Sequence, residues 1–202
     1  HFRETGFESC ILHAQTGSGK TLAYLLPVTE YLWQRESSSV SSKAMVLTPT
    51  RELATQVANI ATKLAPPDTV LHVTHPQNLH KSSARLFIGS AKAIHQSLYG
   101  NKDFPAPPTP KPAAMEILKH TRFLILDEVD RLLLSRQKQQ RHEKPAAIVT
   151  AAVTRLTLGK STMIAASATA GRHVRRELAR CMGLTPKECP AVLQMSETAT
   201  TT

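Results

Sequence analysis

Ala14-Gln15-Thr16-Gly17-Ser18-Gly19-Lys20-Thr21 lies between a short apolar run, Ser9–His13, and a long helical pattern, Lys20–Gln34. A strand, a glycine-bearing turn and a helix that opens on Lys-Thr make a phosphate-binding loop. Gly17 and Gly19 permit backbone dihedrals closed to other residues and let the chain approach an anion. Successive N–H groups and the positive end of the helix dipole then face one point. In such a loop Lys20 reaches the β- and γ-phosphates of a nucleotide, and the Thr21 hydroxyl ligates Mg2+. A chance glycine turn carrying a lysine is the alternative; the strand before it and the helix after it argue against that reading.

Outward from this loop, short β-branched runs alternate with longer helical ones. Strands are predicted over Ser9–His13, Ala44–Thr48, Val70–Thr74, Arg85–Ile88, Phe123–Asp127 and Ser161–Ser167. Helices are predicted over Lys20–Gln34, Arg51–Leu64, Ala91–Leu98, Glu128–Gln140, Ala146–Leu156 and Arg172–Met182. Such alternation implies an α/β domain, a parallel twisted sheet with helices on both faces, whose ligands bind at the carboxyl ends of the strands. Two stretches read as surface insertions. Glu36–Ser42 is serine-rich, and Phe104–Pro112 carries Pro105, Pro107, Pro108, Pro110 and Pro112. The second is expected to run extended, as a spacer or as a docking strip.

The bulk properties agree with one domain. The chain has 202 residues, of which 41% are hydrophobic and only 4% aromatic, so the core must be built from Leu, Ile, Val and Ala. That suits a parallel sheet covered by helices. No apolar run approaches the roughly 18 residues of a membrane span. Twenty-five Lys and Arg against fifteen Asp and Glu leave a net charge of +10. This surplus favours polyanionic partners, while a solubilising surface or a basic organellar protein accounts for it equally well. Cys10, Cys181 and Cys189 form no metal-binding spacing and point to a reducing compartment. His72, His75 and His80 likewise fit no zinc site and read as surface residues or as residues facing a polyanionic partner. The first residue is His1 and the last is Thr202, so the chain reads as part of a larger protein.

Phe123-Leu124-Ile125-Leu126-Asp127 is a buried strand ending on a carboxylate, followed by Glu128, Val129 and Asp130. Beside a phosphate-binding loop, Asp127 stands where magnesium is held and Glu128 where the attacking water is oriented. Helix capping alone is the competing role for this acidic pair. Pro49-Thr50-Arg51-Glu52-Leu53-Ala54 follows the second predicted strand, and Ser167-Ala168-Thr169 ends the last.

These four segments resemble motifs I, Ia, II and III of the DEAD-box RNA helicases, in the family's order, and the resemblance spans Gly6 to Thr169. It implies the first, ATP-binding RecA-like domain, a P-loop NTPase fold, with a second RecA-like domain expected beyond residue 202. It implies ATP and Mg2+ as ligands, Ala14–Thr21 on the nucleotide, and Glu128, Lys20 and Asp127 as the catalytic set. Thr21 and Asp127 would hold the metal. Pro49, Thr50 and Arg51 would contact RNA, as would Gly89, Ser90 and Lys92. Asp130, Ser167 and Thr169 would couple nucleotide state to RNA binding.

The chain also departs from the family pattern. Its acidic motif reads Asp-Glu-Val-Asp, with Val129 in place of alanine. Gly6-Phe7-Glu8 resembles the start of the adenine-recognition segment, but the Pro-Thr-x-Ile-Gln run is absent and Ser9 begins the strand directly. Either that segment is deleted, which puts adenine selectivity in doubt, or residues are lacking there. His75-Pro76 replaces Gly-Gly, and Ala93 stands at the place of a phosphate-binding arginine, with Lys92 a partial substitute.

The expectation is an ATP-dependent RNA helicase or ribonucleoprotein remodelling factor, with RNA and ribosome-assembly proteins as partners and no membrane. It would act as a monomer or within a large ribonucleoprotein, in an organelle such as the mitochondrion rather than nucleus or cytoplasm. A catalytically weak RNA clamp or scaffold is the second reading, and an unrelated P-loop ATPase the third.

Overall fold

The computed structural model describes residues 8–15, 17–34, 42–100, 110–134 and 144–194. Among them run seven strands: β1 (Cys10–His13), β2 (Lys43–Thr48), β3 (Val70–Val73), β4 (Leu86–Ser90), β5 (Thr121–Asp127), β6 (Thr162–Ser167) and β7 (Ala191–Gln194). They form one sheet in the order β3-β4-β2-β5-β6-β1-β7, with every pairing parallel. The helices are α1 (Lys20–Gln34), α2 (Arg51–Leu64), α3 (Ala91–Tyr99), α4 (Pro112–Lys119), α5 (Val129–Leu133), α6 (Pro145–Leu156) and α7 (Arg172–Cys181).

Side chains alternate across a strand, so a sheet covered on both faces needs apolar residues at every position. The sequence supplies them. Ala44, Val46, Leu86, Ile88, Phe123 and Ile125 pack under α1 and α2, in the layer that holds Tyr24, Leu25 and Val57. Their neighbours Met45, Leu47, Phe87, Leu124 and Leu126 face the other way, into the layer of α3 to α7. A one-residue slip of any central strand would exchange the two layers, which fixes the register.

Two elements escaped the sequence reading. Pro112 opens α4 instead of ending an extended strip, because a first-turn proline lacks only an N–H that has no helical partner anyway. Ala114, Ile117 and Leu118 then give α4 its buried stripe. Strand β7 is exposed along its whole length and shows no apolar alternation; its parallel pairing with β1 defines it.

The helix predicted over Glu128–Gln140 is shorter than expected. It stops at Leu133, Leu134 is extended, and the Lys144 ammonium donates to the carbonyls of Arg131 and Leu134 at the helix end. A lysine that satisfies last-turn carbonyls ends a helix stably. Residues 135–143, most of the serine-rich stretch Glu36–Ser42, the proline strip up to residue 109 and Gly6-Phe7 lie outside the described residues. Among the described residues no helix is long and apolar enough to cross a membrane.

Candidate functional site

The carboxyl ends of β1, β6 and β5 are neighbours in the sheet and carry the phosphate loop, Ser167 and Asp127 in turn. Gly17 and Gly19 have φ of +83° and +84°, the left-handed conformation that a side chain would strain. A Cβ at either glycine would meet nothing within 4 Å, so their role is conformational and the space above them is open. The Ser18 hydroxyl donates to the Gln15 carbonyl at 2.7 Å and tightens the turn. The Lys20 ammonium folds over the loop and donates to the carbonyls of Ala14 and Gln15, each at 2.5 Å. Thr16 lies outside the described residues.

Asp127 is 4% exposed at the end of β5. One carboxylate oxygen accepts the Glu128 N–H at 3.0 Å, and the other accepts the Tyr24 hydroxyl at 2.9 Å. Burial raises its pKa above the ordinary carboxylate value, and these two bonds oppose that rise only in part. Burial and the adjacent carboxylate also push the Tyr24 phenol well up. Tyr24, one helical turn after Lys20, was not among the sequence-derived site residues. Its signal was a polar-tipped aromatic on the buried stripe of α1, which must place its hydroxyl on a partner.

A desolvated carboxylate with a raised pKa is an environment that a bound cation relieves. The hydroxyl of Thr21 and the carboxylate of Asp127 are hard oxygen donors of the kind magnesium takes. Among the described residues no three His, Cys, Asp or Glu side chains gather as a metal cage. Magnesium here would therefore share its coordination with substrate phosphates and water, as is usual for this ion.

Glu128 stands at the residue before α5 in the left-handed conformation, φ 52° and ψ 54°, and its side chain makes no capping bond. A non-glycine residue held there costs on the order of 1–3 kcal/mol, strain often found at functional positions. Its Oε2 accepts a 2.6 Å bond from Arg131 Nη1. Glu128, Asp127, Asp130 and Lys20 line one cleft of about 530 Å³, which Leu22, Leu53 and Ile60 also line. Val129 points away from the cleft into the core and is fully buried.

The third motif meets the second through one hydroxyl. Ser167 Oγ lies 2.9 Å from Asp130 Oδ1 and 2.8 Å from the Thr169 carbonyl, so its single proton has two acceptors. Thr169 joins this network through Ser167, to which its own N–H donates at 3.0 Å. The same strand end grips the phosphate loop. The Ala14 N–H donates to the Ser167 carbonyl at 3.2 Å, and His13 Nε2 donates to the Ala168 carbonyl at 3.1 Å.

The residues assigned to RNA lie farther along the carboxyl rim, at β2 and β4. Thr50 caps α2, its hydroxyl accepting the Leu53 N–H at 3.2 Å, and leaves Arg51 exposed at the first helical position. Ser90 caps α3 in the same way through the Ala93 N–H, at 3.3 Å. Lys92 is exposed, while Ala93 is buried at 2%. Gly89 is buried between β3 and α3, where a Cβ would lie 2.9 Å from the Val73 carbonyl oxygen. Packing alone therefore requires a glycine there.

Known proteins are similar to this chain in sequence and in fold. The profile of the DEAD/DEAH box helicase family matches residues 4–177. A mitochondrial ATP-dependent RNA helicase, mss116 of Aspergillus oryzae, is 35% identical over 133 residues, 62% of this chain and 20% of the relative. The ATP-dependent rRNA helicase spb4 of Schizosaccharomyces pombe is 34% identical over 133 residues, 61% of this chain and 21% of the relative. The chain thus spans about one fifth of these relatives' length. The structure of Mss116p bound to single-stranded RNA and AMP-PNP superposes with a TM-score of 0.71 at 19% identity, covering 95% of this chain and 37% of that one. That likeness shows the fold, the RecA-like sheet described above. With the family profile matched over 4–177 and the four motifs gathered at one end of such a sheet, the chain belongs to the DEAD/DEAH box helicase family.

Proposed function

We propose that this chain is the first, nucleotide-binding RecA-like domain of an ATP-dependent RNA helicase that remodels ribonucleoprotein. One observation carries the reading: Lys20, Asp127 and Glu128 line a single cleft, and Ser167 ties that cleft's acidic loop to the rim beyond it. In this reading Ala14–Thr21 cradles the phosphates of ATP, and Lys20 leaves its own loop carbonyls to take the β- and γ-phosphates. Magnesium, held by Thr21 and Asp127, would neutralise phosphate charge when bound. Glu128 orients the attacking water and accepts its proton, with Arg131 steadying the carboxylate beforehand. Asp130, Ser167 and Thr169 report the state of that loop to the RNA face.

On that face, the N–H groups at the start of α2 and the Arg51 guanidinium suit RNA phosphates, with Pro49 and Thr50 shaping the turn. Ser90 and Lys92 offer a second contact at the start of α3, and Gly89 sets the close packing beneath it. Ribosomal or other structured RNA and ribosome-assembly proteins are the proposed partners, a reading that the rRNA helicase relative supports. The net charge and the mitochondrial relative support an organellar setting, with nucleus or cytoplasm as the alternative.

A second reading, a nucleotide-binding clamp with little turnover, is favoured by one feature. Ala93 puts no charge where the family carries an arginine, and removing one charge-assisted contact weakens binding by about 1–3 kcal/mol. RNA-stimulated ATP hydrolysis by the full-length protein, beside Glu128→Gln, separates the two. The helicase reading expects stimulation in the wild type only, with nucleotide bound by both proteins. Tight nucleotide binding without stimulation by any RNA leaves the clamp.

A further inference from the structure

Helix α7 carries Arg172, His173, Arg175, Arg176 and Arg180 within ten residues, and all five are exposed. Arg172, Arg176 and Arg180 follow one another at i, i+4, with Arg175 beside them, so the four guanidinium groups share one face. Like charges at this spacing disfavour a helix. The charges also crowd the wrong end. The first turn holds Arg172 and Arg175, no acidic residue and no capping side chain, so cations sit on the positive pole of the helix dipole.

Neighbouring acids do not relieve this. Glu177 is nearly buried and lies 3.7 Å from Arg180, one turn from the helix end. The Glu188 carboxylate, on the turn packed against α7, is taken by the N–H and hydroxyl of Thr185. Asp130, across the motif loop, accepts from Ser167. Among the described residues no acidic side chain pairs with Arg172, Arg175 or Arg176. The buried side of the helix, Val174 and Leu178, packs into the core and turns the charged face to solvent.

The position of the face matters as much as its charge. Helix α7 starts just past Ser167–Ala170, at the carboxyl rim, and packs in the same layer as α3. Its N-terminus and that of α3, with Lys92, follow β6 and β4, which are three strand spacings apart in the sheet. That is about 14 Å, the axial length of about four stacked nucleotides.

We propose that the Arg172–Arg176 face of α7 is a second RNA-backbone contact surface, continuing the strand path from Lys92 across the carboxyl rim. The inference rests on the RNA-binding reading above. It assigns to this domain a set of phosphate contacts separate from the Thr50–Arg51 and Ser90–Lys92 loops. Arginine suits the task because its planar fork takes two phosphate oxygens at once.

The test is the salt dependence of binding of a fluorescently labelled single-stranded RNA to the full chain. The wild type is compared with the triple variant Arg172→Gln, Arg175→Gln, Arg176→Gln. Each lost single-strand phosphate contact removes about 0.7 from the slope of log affinity against log salt, so the triple variant should lose about 2. Its low-salt affinity should fall about 10-fold or more, with nucleotide affinity unchanged. The triple Arg→Lys variant should keep most of the slope. In the wild type, 4-thiouridine RNA should cross-link to the peptide containing residues 172–180, a readout that needs no variant. An unchanged slope in the Gln variant, or cross-links confined to the α2 and α3 loops, overturns the α7 surface and leaves the helicase reading standing. A wild type that binds no RNA overturns both.

Discussion

Ser167 Oγ, at the end of β6, lies 2.9 Å from Asp130 Oδ1 and is the direct link between the third motif and the acidic loop. It is fully buried and shares its one proton with the Thr169 carbonyl, so small movements of either partner shift the bond. Ser167→Ala should cost about 1–3 kcal/mol of stability, because Asp130 Oδ1 and the Thr169 N–H both lose this partner. Nucleotide affinity should be kept, while stimulation of hydrolysis by RNA should fall 5-fold or more, the usual size of a coupling between sites. Basal and RNA-stimulated rates measured side by side decide it. An unchanged ratio would remove Ser167 from the coupling.

The Tyr24–Asp127 bond should give the proposed nucleotide binding a pH dependence. Burial raises the Asp127 carboxyl above its ordinary value of 3.8, and the Tyr24 hydroxyl holds the rise down. A raised folded-state pKa means that, without metal, ionising Asp127 destabilises the fold as pH rises through that value. If Asp127 holds the metal as proposed, metal-nucleotide binding would need the ionised form and should weaken on acidification sooner than an unperturbed aspartate would require. Tyr24→Phe should move that loss to still higher pH. Titrating fluorescent nucleotide affinity against pH in the two proteins checks this, and coincident curves would refute it.

Gly89→Ala tests the close packing at the end of β4. The added Cβ would meet the Val73 carbonyl oxygen at 2.9 Å, Val73 Cβ at 3.0 Å and Ile94 Cγ1 at 3.2 Å. Overpacking of this kind costs about 1–3 kcal/mol. Thermal unfolding should show the loss. An unshifted midpoint would mean that β3 and α3 yield easily there.

Val129→Ala restores the family's usual residue and should still destabilise this protein. Val129 is fully buried in the layer of α3 to α7. Removing two methyl groups from such a site costs about 1–3 kcal/mol, with nucleotide affinity unchanged. Equal stability would show that the surrounding core collapses onto alanine.

Much of this site was legible in the sequence because each motif sits at the end of a strand whose apolar run is unmistakable. Ala44–Thr48 and Phe123–Asp127 announce central strands, and the glycines at 17 and 19 announce a turn that needs positive φ. Tyr24 was not legible, since its partner is 103 positions away and only the fold joins them. Helix α4 was hidden by its prolines, read as breakers although the last of them is a helix start. Strand β7 has no buried face to give it a period, and the early stop of α5 depends on Lys144, which arrives from beyond the helix.

Ala14–Thr21 and Asp127 are proposed to form one magnesium-dependent nucleotide site, and calorimetric titration of ATP into the protein measures it without any coupled step. A one-to-one complex should form that tightens with Mg2+ and is abolished by Lys20→Ala. Affinity left unchanged by Lys20→Ala, or by withdrawal of Mg2+, would contradict it.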